Sequence, residues 1–293
     1  MAGDLFIVGT PIGNLGDLSP RAVETLREAD FIAAEDTRVT LKLLNHFGIK
    51  NTLVSYHEHN LAQRGQDILE RILQGKSCAL VTDAGMPAIS DPGQELVALC
   101  RAHGVKIVTV PGPSAVATAA AFSGLNVSRF SFEGFLSVNK PKRRAHLEEL
   151  KSERKTMILY EAPHKLAATL RDLYETLGDR RIALIRELTK IHETAELTTL
   201  AEAREKYGGE TKPRGEYVIV IEALSARELS DAAPPPDPLA RARAYLAEGK
   251  SVNEAAKLAA KETGEKKGDI YRLLLENADQ TPENAEKATT EDF

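Results

Sequence analysis

Leu5-Phe6-Ile7-Val8-Gly9-Thr10-Pro11-Ile12-Gly13-Asn14-Leu15-Gly16 decides the fold of this chain. Four apolar residues in a row, closed by a glycine-rich turn, read as a short strand buried on both faces. Ser19-Pro20 then supplies an N-cap and a proline at the first helical position. Strand, glycine turn and helix in that order form the repeating unit of a parallel α/β sheet. The pattern recurs downstream, with further apolar runs at residues 31–34, 52–55, 78–82 and 105–110. Between them, Asn60 and Gln63 have capping-box spacing ahead of a helix that stops at Gly75. Leu96, Leu99 and Cys100 recur at helical spacing before Gly104. Residues 1–113 are therefore expected to form an N-terminal α/β domain with a mainly parallel sheet.

The rhythm changes near Ala115. A helix rich in Ala and Val (residues 115–122) precedes strand candidates at 130–135, 157–160, 181–188, 193–199 and 216–222. Only Thr189 to His192 separate two of these, too few for a helical crossover, so that pair is expected to be antiparallel. Residues 114–226 read as a second, mixed α/β domain. Consecutive prolines at 234–236 make residues 227–238 a linker. In residues 239–280, Ser251 to Glu254 match a capping box and Gly264 breaks the pattern. Two short helices around that turn suggest a helix-turn-helix-like region. Residues 281–293 are polar and expected to be a disordered tail.

Length and composition bound the function. The chain has 293 residues, 42% hydrophobic and 28% charged, which suits a soluble globular protein and excludes a fibre or coiled-coil rod. No apolar run approaches the roughly 18 residues of a membrane helix. Nor does a basic stretch followed by an apolar one open the sequence, so a cytoplasmic protein is expected. Cys78 and Cys100 sit inside apolar stretches and are expected to pack as small hydrophobes. The net charge of −5 argues against a protein that coats nucleic acid nonspecifically. Local basic patches remain, the densest being Lys140, Lys142, Arg143 and Arg144 within five residues.

Three strand-end loops describe one rim of a cleft: 9–16, 82–93 and 110–115. Ligands of open α/β sheets bind at such ends. The first loop lacks both the G-x-G-x-x-G spacing and the Lys-Ser/Thr ending of a P-loop, which disfavours a pyrophosphate. Each loop alone also reads as a plain turn, and Ser114 as a plain N-cap. His57-Glu58-His59 has no partner cluster to complete a zinc site, and no G-x-S-x-G elbow marks a serine hydrolase.

Six blocks carry a resemblance. They are residues 5–15, Ala34-Glu35-Asp36-Thr37-Arg38, Thr82-Asp83-Ala84-Gly85-Met86-Pro87, Pro111-Gly112-Pro113-Ser114-Ala115, Tyr160-Glu161-Ala162-Pro163-His164 and Arg186-Glu187-Leu188-Thr189-Lys190. In this order they resemble the tetrapyrrole methylase family, over residues 4 to 224. Lys165 stands where the family pattern has Arg, which keeps the charge but not the bidentate fork. The resemblance implies two α/β domains with S-adenosyl-L-methionine in the cleft between them. It places Pro11, Asp83, Met86 and Ser114 at the cofactor, together with Ala115, Tyr160, Ala162 and Leu188. It is narrower to the branch that modifies ribosomal RNA. That branch implies methylation of the ribose 2′-oxygen of a decoding-centre cytidine, with 16S rRNA or the small ribosomal subunit as partner and a homodimer as the assembly. RNA contacts are then expected at Arg38, Lys140, Lys142, Arg143 and Arg144. A sulfonium methyl is already activated, so no metal is expected; a base for the ribose hydroxyl is, at Glu35 or Asp36 beside Arg38. Glu187 and Lys190 are further charged candidates for the chemistry at a strand end, and read equally well as an ion pair. A small-molecule methylase of the same fold and a noncatalytic RNA-binding module are the alternatives.

Overall fold

In the computed structural model the apolar runs of the first half pair side by side. Strands β1 (Leu5–Val8), β2 (Phe31–Ala34), β3 (Leu53–Ser55), β4 (Cys78–Val81) and β5 (Ile107–Val110) form one sheet. Its order is β3-β2-β4-β1-β5, and every pair is parallel. Both β2 and β4 are buried along their whole length, which is why their sequences do not alternate. Helices α1 (Pro20–Glu28) and α2 (Thr37–His46) cover one face, where Leu26 and Leu44 pack on Ile32 and Val81. Helices α3 (Leu61–Leu73) and α4 (Gln94–Ala102) cover the other, where Ile68, Leu96 and Cys100 pack on Leu5 and Leu80. Cys78 and Cys100 are both buried and unpaired in these layers. Strands β1 and β4 send their connections to opposite sides of the sheet. The crevice beyond their C-terminal ends is thus a topological switch point.

The second half forms another five-stranded sheet from β6 (Phe130–Phe135), β7 (Thr156–Glu161), β8 (Arg181–Arg186), β9 (Thr194–Thr199) and β10 (Tyr217–Ile221). The order is β6-β7-β10-β8-β9; β6 and β7 are parallel and the other pairs antiparallel. The expected antiparallel pair is β8 with β9. Helices α6 (Lys140–Leu150), α7 (Pro163–Leu177) and α8 (Leu200–Gly208) supply leucines to one face. Helix α5 (Ala115–Phe122) packs its small residues Ala119 and Ala120 on the other, joined there by Ile12.

The structure describes residues 2–58, 60–209, 211–224 and 237–278. Both sheets belong to one compact unit, Met1–Ala223; Leu224–Phe293 is a second. Among its described residues the second unit has three helices, α9 (Pro238–Ala247), α10 (Val252–Thr263) and α11 (Lys267–Ala278), packed through Ala242, Ala256, Ala259, Ile270 and Leu274. The sequence reading placed residues 239–280 in a helical region but singled out two helices there, not α9. Asp237 caps it and Pro238 opens it, so these two residues belong to the helix and not to the linker. The rest of the expected linker, 227–236, and the expected tail, 281–293, lie outside the described residues. No helix among the described residues is long and apolar enough to cross a membrane.

Local signals fare unevenly. Ser19 and Ser251 cap α1 and α10 as expected. Asn60 does not cap α3; its side-chain oxygen accepts from the His57 N–H at 2.9 Å instead. Ser114 makes no cap hydrogen bond to α5, so its hydroxyl is left for other work.

Glycine is required where the turns after β1 and β5 cross. A Cβ on Gly112 would lie 2.8 Å from the Cα and carbonyl oxygen of Gly9, and one on Gly9 would lie 2.7 Å from the Cα of Gly112. At Gly112 backbone meets only backbone, with no flexible side chain to yield, while a Cβ on Gly9 would also meet Met86 Sδ at 2.6 Å. Gly112→Ala is expected to cost roughly 2–4 kcal/mol through this strain, seen as a fall of several degrees in the melting temperature.

Candidate functional site: an acidic, apolar-walled cavity at the strand ends

The crossing at Gly9 and Gly112 brings three loops together. Thr10 reinforces it: its N–H donates to Gly85 O at 2.9 Å, and its buried hydroxyl to Thr82 O at 3.1 Å. Above these loops lies a cavity of about 550 Å³, within the range of small-molecule sites. Sheet one contributes Ile12, Glu35 and the 83–91 loop; sheet two contributes Phe135, residues 160–164 and Leu188. The tip of the β1 loop docks directly on sheet two, since a Cβ on Gly13 would meet the Lys190 and Thr189 side chains within 2.9 Å.

Carboxylates dominate the electrostatics of the first sheet's rim. Glu35, Asp83 and Asp91 all face the cavity. The Asp83 N–H points at Glu35 Oε2 at 3.5 Å, and Asp83 Oδ1 accepts from the Asp36 N–H at 3.1 Å. Burial, then the nearby Asp91, raises the Glu35 carboxyl above its usual range. Burial likewise raises Asp83 and Asp91. Among the described residues the cavity wall holds no lysine or arginine, so three partly desolvated carboxylates make it a region that favours positive charge. Across from them, burial pushes the Tyr160 phenol up to about 12, so at neutral pH it can donate a hydrogen bond.

Sheet two's side of the wall is held by a fixed polar chain. Glu161 is 3% exposed; its Oε1 accepts from the Ala162 N–H at 2.9 Å and its Oε2 from the Thr169 hydroxyl at 2.5 Å. Arg143 closes the chain, donating to Thr169 Oγ1 at 2.9 Å and to Asp172 at 2.8 Å. Beyond β8 the backbone is strained: Glu187 and Thr189 have φ of +53° and +66°. Ala88, on the opposite loop, has φ of +67°, and these are the non-glycine residues with positive φ among the described ones. Such strain persists only where its surroundings over-determine it, and it gathers at functional sites. Here Glu187 Oε1 accepts from the Glu216 N–H at 2.9 Å, and Lys190 Nζ bridges Glu187 and Glu216 at 2.9 Å each. This ion-pair clasp presents Leu188 to the cavity and is the structural member of the two readings of Glu187 and Lys190.

Of the residues expected at the cofactor, Asp83, Met86, Ser114, Ala115, Tyr160, Ala162 and Leu188 all line the cavity. Pro11 is buried and is not part of the wall; its neighbour Ile12 is. The two candidate bases separate. Glu35 faces the cavity, whereas Asp36 caps α2 by accepting from the Arg38 N–H and grips the Arg38 guanidinium with both oxygens. Those hydrogen bonds lower the Asp36 carboxyl to about 2, which makes it a weak proton acceptor. The basic cluster separates as well. Lys140, Lys142 and Arg144 are exposed on α6, while Arg143 is the buried-side link to Asp172 and Thr169. Sequence reasoning missed Asp91 and Phe135 as wall residues. The lone glycine within residues 130–135 was the available signal for the second, because such a glycine marks a bulge or a close approach.

This chain belongs to the tetrapyrrole (corrin/porphyrin) methylase family, whose model matches residues 4–204. Among curated relatives, ribosomal RNA small subunit methyltransferase I of Synechocystis sp. is 45% identical over 283 residues, covering 94% of this chain and 98% of that protein. The protein of the same name from Thermotoga maritima is 47% identical over 219 residues, 75% of this chain and 98% of that protein. Solved structures share the fold at lower identity. A diphthine synthase superposes with a TM-score of 0.57 at 17% identity, covering 77% of this chain and 93% of that one. A cobalt precorrin-4 methyltransferase gives 0.56 at 19%, covering 74% and 94%.

The raised carboxylates give a stability prediction. A folded state that holds protons more tightly than the unfolded chain loses stability as pH rises through the raised values. Asp91→Asn, which relieves the repulsion, is expected to raise the melting temperature at pH 8 and to change it little at pH 3.5. The gain should be about 1 kcal/mol or less, because the groups are partly exposed. Thermal melts of both proteins across this range measure it.

Proposed function

We propose that this chain transfers a methyl group from S-adenosyl-L-methionine to the ribose 2′-oxygen of a decoding-centre cytidine in 16S rRNA. Nearly full-length similarity to relatives named ribosomal RNA small subunit methyltransferase I supports the reaction and its substrate. The chemistry of the cavity supports the cofactor. Its carboxylates complement a sulfonium and an ammonium, and Ile12, Met86 and Leu188 suit an adenosine and a thioether. Among the described residues the wall carries no lysine or arginine to meet a polyphosphate.

Bound S-adenosyl-L-methionine supplies a methyl already activated on sulfur. The protein must align the ribose oxygen behind that methyl and take up its proton. Glu35 is the proton acceptor in this reading: it faces the cavity, and burial with neighbouring carboxylates makes it a stronger base than an ordinary glutamate. Asp36 positions Arg38 and the start of α2. Arg38, whose side chain is 86% exposed, stands at the rim to meet a backbone phosphate. Asp83, Tyr160 and Ser114 are cofactor ligands, with the amide of Ala115 beside them. The protein acts in the cytoplasm, as a homodimer whose mass sedimentation can measure.

Radiolabelled cofactor with methyl-deficient small subunits tests the proposal. Label in a protein-free porphyrinoid and none in RNA overturns it. In single-turnover assays with saturating RNA and cofactor, Glu35→Gln is expected to slow transfer by roughly 100-fold or more with binding nearly intact. Asp36→Ala should slow it by less than roughly tenfold while lowering the melting temperature, because its work is a cap.

The RNA surface has a separate signature. Joint replacement of Lys140, Lys142 and Arg144 by Ala should weaken RNA binding and reduce the slope of log affinity against log salt by up to about 2. Arg143→Ala should instead lower the melting temperature, since it removes the part-buried guanidinium from Asp172 and Thr169. Filter binding from low to high salt, with melts of both variants, separates the two roles.

A further inference from the structure

Strand β6 reads Phe130-Ser131-Phe132-Glu133-Gly134-Phe135 and contains an irregularity with a consequence at the cavity mouth. Phe132 pairs with Ile158, Gly134 with Leu159 and Phe135 with Tyr160, so Glu133 is an extra residue with no partner on β7. Gly134 has φ of +62°, a conformation that the bulge needs and glycine accepts. In a regular strand, residues 132 and 135 point to opposite faces. The extra residue turns them to the same face, and both rings pack edge-on against Tyr160, with centroids 4.8 and 5.5 Å away. Phe135 is thereby carried to the lip of the cavity, where it stays 58% exposed.

The bulge is also tied to the basic helix. Glu133 Oε2 lies 3.1 Å from His146 Nε2 on α6, the helix whose exposed face carries Lys140, Lys142 and Arg144. A phenyl ring held in water by a bulge does little for the core. Bulges beside active sites re-aim side chains. Behind the ring, Glu35, Asp83 and Asp91 repel phosphate, so an RNA can send only an uncharged part of one nucleotide past it. The ribose meets that requirement and leaves its base at the lip, where an aromatic face is what unstacked bases pack on.

We propose that Phe135 is the platform on which the base of the target nucleotide stacks while its ribose enters the cavity. The β6 bulge sets the ring's position. This rests on the RNA methyltransferase reading above, and deepens it by assigning Phe135 as a positioning residue for the substrate.

Full-length Phe135→Leu and Phe135→Trp test it with 16S rRNA and with a ligated transcript that is abasic at the target position. Loss of one stacked base corresponds to roughly 10- to 100-fold. Phe135→Leu is therefore expected to lower kcat/KM on 16S rRNA by that factor, while Phe135→Trp stays within about threefold of wild type because it keeps a π-face. The dissociation constant for S-adenosyl-L-methionine should be unchanged in both. On abasic RNA, wild type and Phe135→Leu should bind equally, since the partner of the ring is gone. A leucine variant as active as wild type overturns the platform, as does a defect that persists on abasic RNA or a weakened cofactor affinity. A wild-type protein that methylates no RNA overturns the reading beneath it instead.

Discussion

The site depends on one close approach. Gly9 and Gly112 let the backbones after β1 and β5 touch, and the Thr10–Gly85 bridge draws the β4 loop to the same point. A side chain at either glycine would hold these loops apart by the thickness of a methyl group. With it would go the floor on which Met86, Ser114 and Ala115 face Leu188 and Tyr160. The parallel sheet supplies the direction, since all its strands end on one edge, and the glycine pair supplies the closeness. The β1 loop then reaches sheet two through Ile12 and Gly13, so one loop both floors the cavity and joins its walls.

Around that floor the protein accepts costs that a purely structural fold would avoid. Carboxylates crowd a partly buried space, which raises the free energy of the unliganded state as they ionise. Non-glycine residues sit at positive φ in both loops that flank the opening. Other contacts offset these costs: the Lys190 clasp to Glu187 and Glu216, and the chain from Glu161 through Thr169 to Arg143 and Asp172. The division of labour is consistent. Paired charges hold the frame, and Glu35, Asp83 and Asp91 face the cavity.

Adjacent residues show where reading the sequence stops. Glu35 and Asp36 are chemically alike and follow the same strand, yet one faces the cavity and the other caps a helix. Arg143 lies among Lys140, Lys142 and Arg144 but turns inward to Asp172. In each case the block was legible and the assignment within it was not, because one residue along a helix or strand end rotates a side chain to another face. Ser114 erred in the opposite direction: it has the composition and place of an N-cap but does not act as one. Phe135 required the register of β6 against β7, and no count along a single strand contains that.

The sequence by itself determined the local elements and their type. Apolar runs ending in Gly, Asp or Pro set the strands of the first sheet, the short stretch between the candidates at 181–188 and 193–199 forced an antiparallel pair, and Ser19 and Ser251 set helix starts. It also determined the family, through six blocks whose order carries the resemblance. Tertiary structure alone decided which side chains share a cavity, which of two adjacent carboxylates faces it, and which arginine is already engaged. The physical reason is range. Caps, turns and periodicity act within a few residues, whereas the cavity is built from contacts between residues about a hundred apart or more, such as Gly9 with Gly112 and Gly13 with Lys190, whose energies exist only once the chain has closed around them.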